Sequence, residues 1–288
     1  MGARVRAASR LQPPRGRFLE VGNARLHFLD RGFGAPVVLL HGLGSMVEDF
    51  ELSGLFGLAA RQFRVVAFDR PGYGYSTRPR GTAWTPRAQA RLLHAALEKL
   101  GIARPVILGH SWGTLVALAY ALEYPAQLRA LVLASGYYFP TVRPDGALLV
   151  PPAIPVLGAL LRHTLSPLVG RLLWPAWLRL LFAPLPVPEY FSRFPTWRAL
   201  RAEQLRAVGQ ESAMLVPSVI SMSRRYPEVR ARTTIIAGAE DRYVRPARHS
   251  ERLHELLPDS TYRRVSGAGH MVHHADPQTV FQAIEECT

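Results

Sequence analysis

Cysteine is nearly missing from this chain of 288 residues: Cys287 stands alone at the C-terminal end. A single cysteine cannot close an intrachain disulfide, and no Cys/His cluster has the spacing of a zinc site. Lysine is as scarce. Lys99 is the one lysine, so the formal net charge of +14 rests on arginine. The arginines are spread along the whole length, and no basic stripe interleaved with aromatic residues stands out, which argues against a nucleic-acid partner. Residues 1–16 hold Arg4, Arg6, Arg10 and Arg15 but no acid and no apolar core. They do not make a secretory signal and read as a disordered basic arm. The expectation is a cytoplasmic protein. Long apolar runs are absent too. The longest uncharged stretch of the middle region, 146–161, contains three prolines and falls short of the ~20 apolar residues of a membrane span.

Against these absences, hydrophobic residues make up 48% and charged residues 19% of the chain, the balance of a folded globular protein. Residues 17–21 and 25–30 read as two strands joined by Gly22-Asn23, a hairpin. Residues 36–40, 63–68, 105–108 and 128–134 are apolar runs of the kind a buried parallel strand shows. Helical spacing over 87–100, stopped by Gly101, and over 111–124, closed by Pro125, alternates with them. The alternation resumes late: strands over 233–237 and 261–265, helices over 250–257 and 277–286. The reading is an α/β fold with a mostly parallel central sheet flanked by helices, its core domain made of residues 17–136 and 227–288. Between the two halves, residues 137–226 break the pattern and read as a helical cap inserted after the sixth strand. Prolines at 151, 152, 155, 167, 175, 184, 186 and 188 are expected to rule out any long helix there, leaving several short amphipathic ones.

The strongest chemical signal is Gly109-His110-Ser111-Trp112-Gly113, which follows a buried strand and opens a helix. A serine at such a turn is pushed out of the chain, and glycines on both sides allow backbone to approach without a Cβ. A helix cap alone would explain Ser111 but not both glycines. A serine hydroxyl needs a base to take its proton. His270, in Gly267-Ala268-Gly269-His270 after the last strand, is favoured over His273 and His274, which fall near a helix start and read as surface residues. The base needs an acid to hold its tautomer. Asp241, in the loop after strand 233–237, is favoured over the adjacent Glu240; the turn Ala134-Ser135-Gly136, another place for such an acid, has none. Acyl transfer also needs donors for an oxyanion. The amides of Trp112 and of Leu43, in His41-Gly42-Leu43-Gly44 at the end of strand 36–40, fit that need.

These elements, in this order, resemble the α/β-hydrolase superfamily over almost the whole chain from about residue 17. The segment from Asp69 to Ser76 is similar to the D-x-x-G-x-G-x-S turn of that family, and Gly238 to Val244 to its G-x-x-D-x-x-V acid loop. The resemblance implies a serine hydrolase working through an acyl-enzyme, with Ser111 as nucleophile, His270 as base, Asp241 as acid, and no metal or organic cofactor. Haloalkane dehalogenases and soluble epoxide hydrolases share the plan but carry aspartate where Ser111 stands. Prolyl iminopeptidases carry Asp-Gln-Arg-Gly where this chain has Asp69-Arg70-Pro71-Gly72. Carbon–carbon bond hydrolases and cofactor-free haloperoxidases or perhydrolases use the same triad and stay open.

The insertion is unusually apolar, with Leu148, Leu160, Leu172, Trp174, Trp177 and Leu180 among its residues, punctuated by Arg162, Arg171 and Arg179. It points to a lipophilic small-molecule substrate, a medium or long acyl ester or another apolar carbonyl compound, with weak association to a membrane surface as a further expectation. Two readings of another class remain beside this one: a ligand-binding protein that has kept the fold without the chemistry, and a membrane-surface protein.

Overall fold

The computed structural model describes residues 13–142 and 145–288. The hairpin forms as expected. Strand β1 (Arg17–Val21) pairs antiparallel with β2 (Ala24–Arg31), and Val21 faces Ala24 across a two-residue turn. Gly22 has φ 58°, the positive φ that the tight primed turns require at their first position. Then come β3 (Pro36–Leu40), β4 (Arg64–Phe68), β5 (Val106–His110), β6 (Ala130–Ala134), β7 (Arg232–Gly238) and β8 (Ser260–Val265). They make one sheet in the order β1-β2-β4-β3-β5-β6-β7-β8. β2 meets β4 antiparallel, and every pairing from β4 onward is parallel.

The apolar runs are buried because both faces of the sheet are covered. On one face Val38, Leu40, Ile107, Leu131 and Leu133 pack with the helices Pro86–Lys99 and Gly113–Glu123. On the other, Val37, Leu39, Leu108 and Val132 pack with Pro277–Cys287. This is the two-sided α/β layering that the alternation in the sequence implies. The parallel strands share one direction, so the loops after β3, β4, β5, β7 and β8 all emerge at the same edge of the sheet, where the glycine-rich motifs lie.

The basic arm falls for residues 1–12 outside the described residues; Arg15 forms an ion pair with Glu51 at 2.6 Å. Residues 135–231 separate β6 from β7 and hold the insertion's helices. Here one expectation fails. Two of these helices are long: Leu165–Phe182, with 18 residues, and Ala202–Ser223, with 22. Pro167 sits in the first turn of its helix, where the missing amide has no intrahelical partner to lose. Pro175 and Pro217 lie inside their helices and are carried through. At Pro175 the helix runs along the surface, with Arg171 exposed, so the carbonyl freed by the proline faces water rather than a dry interior. Tyr137, Tyr138, Phe139, Leu215 and Val219 are buried with the main core, anchoring the insertion at both ends. Among the described residues no single helix is long and apolar enough to cross a membrane.

Candidate active site

Ser111 occupies the turn between β5 and the helix Gly113–Glu123 with φ 51°, a left-handed conformation that a side chain rarely adopts. Neighbouring contacts hold it there. The Ser111 amide donates to the Ala134 carbonyl at 2.8 Å, and Thr114 Oγ1 donates to the Ser111 carbonyl at 2.6 Å. The flanking glycines are a spatial necessity. A Cβ on Gly113 would lie 2.2 Å from the Leu40 carbonyl oxygen, and one on Gly109 would lie 2.6 Å from the Thr114 amide.

His270 Nε2 lies 2.9 Å from Ser111 Oγ, and His270 Nδ1 lies 2.8 Å from Asp241 Oδ2. The other Asp241 oxygen accepts from the amides of Tyr243 and Val244 at 2.9 and 2.8 Å, so the carboxylate is fixed on both sides. All three side chains are buried. Glu240 points to solvent instead, which decides the geometry between the two adjacent acids. The loops carrying Asp241 and His270 can meet because both are glycine-rich: a Cβ on Gly238 would lie 2.1 Å from the Gly269 carbonyl oxygen.

The loop carrying Leu43 runs against Ser111, since a Cβ on Gly42 would lie 3.1 Å from the Ser111 Cβ. Trp112 precedes the first residue of the helix behind the turn, and its ring is buried. Leu43 and Ser111 line the same small cavity of about 70 Å³, together with His270, Trp174, Trp177 and Tyr243. Next to it lies a larger apolar cavity of about 280 Å³ under the insertion. Leu43, Gly44, Trp174 and Trp177 border both.

His273 and His274 are not surface residues. Both are buried, and their Nε2 atoms lie 3.2 and 2.8 Å from the two oxygens of buried Asp49. Burial works against the Asp49 charge, but the attraction and hydrogen bonds of the two imidazoles outweigh it and hold the carboxyl well below its usual range. Their placement after a glycine turn suggested exposure; the acid that draws them inward is more than 220 residues away in the chain, beyond any local pattern. His110 packs against His273 with ring centroids 4.3 Å apart and planes tilted by 53°, and its Nε2–H donates to the His270 carbonyl at 3.1 Å. Burial, then the neighbouring imidazoles, pushes its pKa well down, so it is neutral. Asp49, His110 and His273 bring one potential ligand atom each within 4.8 Å of one another, but both Asp49 oxygens are already hydrogen-bonded to imidazoles.

Sequence reasoning missed the residues that brace this site. Arg70 donates to the His41 carbonyl at 2.8 Å and to the Gly42 carbonyl at 3.0 Å, while its guanidinium lies 4.7 Å from the Trp112 ring centroid. It thus ties the Leu43 loop to the serine turn. Its counter-charge is Glu211, at 2.7 Å, from the insertion helix Ala202–Ser223; Tyr73 donates to the second Glu211 oxygen at 2.7 Å. Gln204 of the same helix accepts from the Gly74 amide and donates to the Gly44 carbonyl. His41 is locked as a neutral tautomer. Its Nδ1 lies 2.8 Å from the Gly42 carbonyl, and its Nε2 accepts from the Arg70 amide at 3.0 Å. Burial, then the Arg70 charge, lowers its pKa to about 4. Asp69 pins the next turn, accepting from the Val47 and Tyr75 amides and bonded to His27 at 2.7 Å. A signal for Glu211 was present. Ala207, Val208, Met214 and Leu215 occupy its i−4, i−3, i+3 and i+4 positions, so the acid stands in an apolar stripe.

Residues 35–277 match the family model described as alpha/beta hydrolase fold. The chain belongs to the α/β-hydrolase family. Haloalkane dehalogenase 2 of Mycobacterium bovis is 26% identical over 280 residues, covering 96% of each chain. The 2-hydroxy-6-oxo-2,4-heptadienoate hydrolase of Pseudomonas putida is 27% identical over 267 residues, covering 89% of this chain and 90% of its own. Among solved structures, a thermophilic esterase from Thermogutta terrifontis superposes with a TM-score of 0.71 at 22% identity, over 94% of this chain and 97% of that one. This α/β hydrolase therefore shares its fold with enzymes that differ in the bond they break.

Proposed function

We propose that this α/β hydrolase is a serine esterase for lipophilic carboxylic esters, acting through an acyl-enzyme on Ser111. The observation that carries the reading is the continuous hydrogen-bond line Ser111–His270–Asp241 at 2.9 and 2.8 Å, built at a left-handed serine turn. Ser111 Oγ attacks the ester carbonyl carbon while its proton passes to His270 Nε2. The amides of Leu43 and Trp112 stabilise the oxyanion, and Asp241 steadies the imidazolium. His270 then protonates the departing alcohol. Water, deprotonated by the same nitrogen, attacks the acyl carbonyl, and the acid leaves with Ser111 restored. None of these steps needs a metal or an organic cofactor.

The insertion acts as a cap over the substrate, and the apolar cavity supplies the acyl site. A cavity of roughly 150 Å³ takes one benzene, six carbons, so 280 Å³ corresponds to an acyl chain of roughly ten. The likeness to a haloalkane dehalogenase comes without the aspartate such enzymes carry at the turn; Ser111 stands there. The likeness to a dienoate hydrolase favours a second reading, carbon–carbon cleavage by the same three residues. A substrate with a carboxylate would call for a cation in the site. Among the described residues the lining of both cavities contains neither arginine nor lysine, which supports the ester reading.

The test is labelling by a fluorophosphonate probe beside Ser111→Ala and His270→Ala, followed by p-nitrophenyl esters of increasing chain length. Labelling of the wild type alone, with kcat/KM for the variants lower by ~10⁴ or more and a maximum at medium chain length, is expected. An unlabelled wild type, or activity that peaks at acetate and declines steadily, overturns the reading.

A further inference from the structure

The described residues have fifteen large apolar side chains in exposed positions, and eleven of them lie between Leu148 and Leu185. They concentrate on the helices Leu157–His163 and Leu165–Phe182, where Leu160, Leu168 and Leu172 are 63%, 64% and 78% exposed. The second helix is apolar on two faces, with Arg171 and Arg179 its only charged residues. Its inner face, with Val169, Leu173, Trp174 and Trp177, lines the large cavity. Its outer face, with Leu168 and Leu172 one turn apart, is left exposed among the described residues. An apolar patch this concentrated is unusual on a free surface and marks a contact with protein or lipid.

The charges on the same stretch have one sign. From Gly146 to Pro188 the sequence carries Arg162, Arg171 and Arg179 and no acid. Arg171 and Arg179 are exposed beside the leucines. Leucines flanked only by arginines complement an anionic lipid surface, in which the apolar side chains enter the acyl region and the guanidinium groups meet the headgroups. The whole chain, at +14, is attracted to the same surface. The cavity opens on this patch: Leu148, Leu165 and Leu173 line it and are 46%, 54% and 39% exposed.

We propose that the outer face of the helix Leu165–Phe182, with Leu157–His163, is the surface by which this protein docks on anionic membranes. Docking sets the mouth of the apolar cavity against the bilayer, so a lipophilic ester enters from the lipid; this last clause rests on the esterase reading above, whereas the docking does not.

The test is co-sedimentation of the full chain with vesicles of phosphatidylcholine alone and of equal parts phosphatidylcholine and phosphatidylglycerol. The wild type sediments with the mixed vesicles and not with the neutral ones, and salt releases it. Leu168→Glu and Leu172→Glu each weaken binding by roughly tenfold or more, because a leucine no longer leaves water. Arg171→Gln with Arg179→Gln weakens it by about thirtyfold. None of these residues touches the Ser111 site or lines its cavities, so fluorophosphonate labelling and turnover of a soluble ester stay at wild-type level, which shows that the variants fold. Turnover of an ester embedded in the mixed vesicles falls in step with binding. A wild type that remains in the supernatant with both vesicles overturns the proposal. So does a dimer that Leu172→Glu converts to monomer, which would identify the occupant of the face as a second copy of the chain. Vesicle binding without any ester turnover would leave the docking in place and remove the esterase reading.

Discussion

Glu211 has no exposed surface, and its two oxygens accept from Arg70, Gln89 and Tyr73. Burial alone would raise its pKa, but Arg70 and Arg78 outweigh burial and hold the carboxylate ionised. Removing one member of such a pair strands the other, at a cost of about 3–5 kcal/mol. Glu211→Gln is expected to lose stability on that scale in urea unfolding, and to lower kcat more than it raises KM, because Arg70 then holds the Leu43 loop less firmly. A Glu211→Leu, Arg70→Met pair should regain much of the stability without regaining kcat. Equal recovery of both would show that the pair is merely structural. Residues of this kind mark the limit of what the sequence discloses. Ser111, Asp241 and His270 were legible because each sits in a glycine-bounded turn at a strand end, a local pattern with a chemical reason. Arg70, Asp49 and His273 work through partners far away in the chain, and no window of sequence contains both members of such a pair.

Elements were legible where periodicity and punctuation agreed. Gly101 and Pro125 end helices where expected, and the apolar runs match β3 to β8 to within two residues. The insertion misled because proline was weighed without its position. Pro175 interrupts one hydrogen bond on a wet face of the helix Leu165–Phe182, and the apolar packing of Trp174, Leu178 and Leu181 around Phe182 and Phe194 holds the turns on either side together. The cost of that interruption should still be measurable. Pro175→Ala restores the amide facing the Arg171 carbonyl and is expected to stabilise the protein by about 1–2 kcal/mol, less than the full ~3 kcal/mol of a helix proline, since proline also restricts the unfolded chain. The urea midpoint reports it. An unchanged or lower midpoint would show that the interrupted hydrogen bond costs the folded helix nothing.

For the molecule as a whole, buried imidazoles set the response to acid. His41, His110 and His273 all have depressed pKa values, with burial the largest cause in each. The folded state therefore stays unprotonated at these positions while the unfolded chain takes up protons at an ordinary histidine pKa of about 6.5. Stability is complete above that value and is lost as pH falls toward the folded values. His41, lowered to about 4, accounts for about 3 kcal/mol of that loss by itself. Urea titrations at about pH 7 and about pH 4 should show it, and His41→Asn should flatten the difference by that amount. A parallel loss in wild type and variant would assign the acid sensitivity to other groups.

The ion pair between Arg70 and Glu211 also limits how such a protein can diversify. Insertions of this type look like exchangeable modules, grafted between two strands to change what the enzyme accepts. Here the grafted segment supplies the counter-charge for an arginine buried in the body of the enzyme and, through Gln204, a strut for the Gly44 and Gly74 turns. A chimera that receives a foreign insertion lacking an acid at the place of Glu211 inherits a stranded guanidinium beside its serine turn. Transplants between relatives should therefore succeed only when body and insertion carry this pair together, and the two halves of the interface are bound to change in concert.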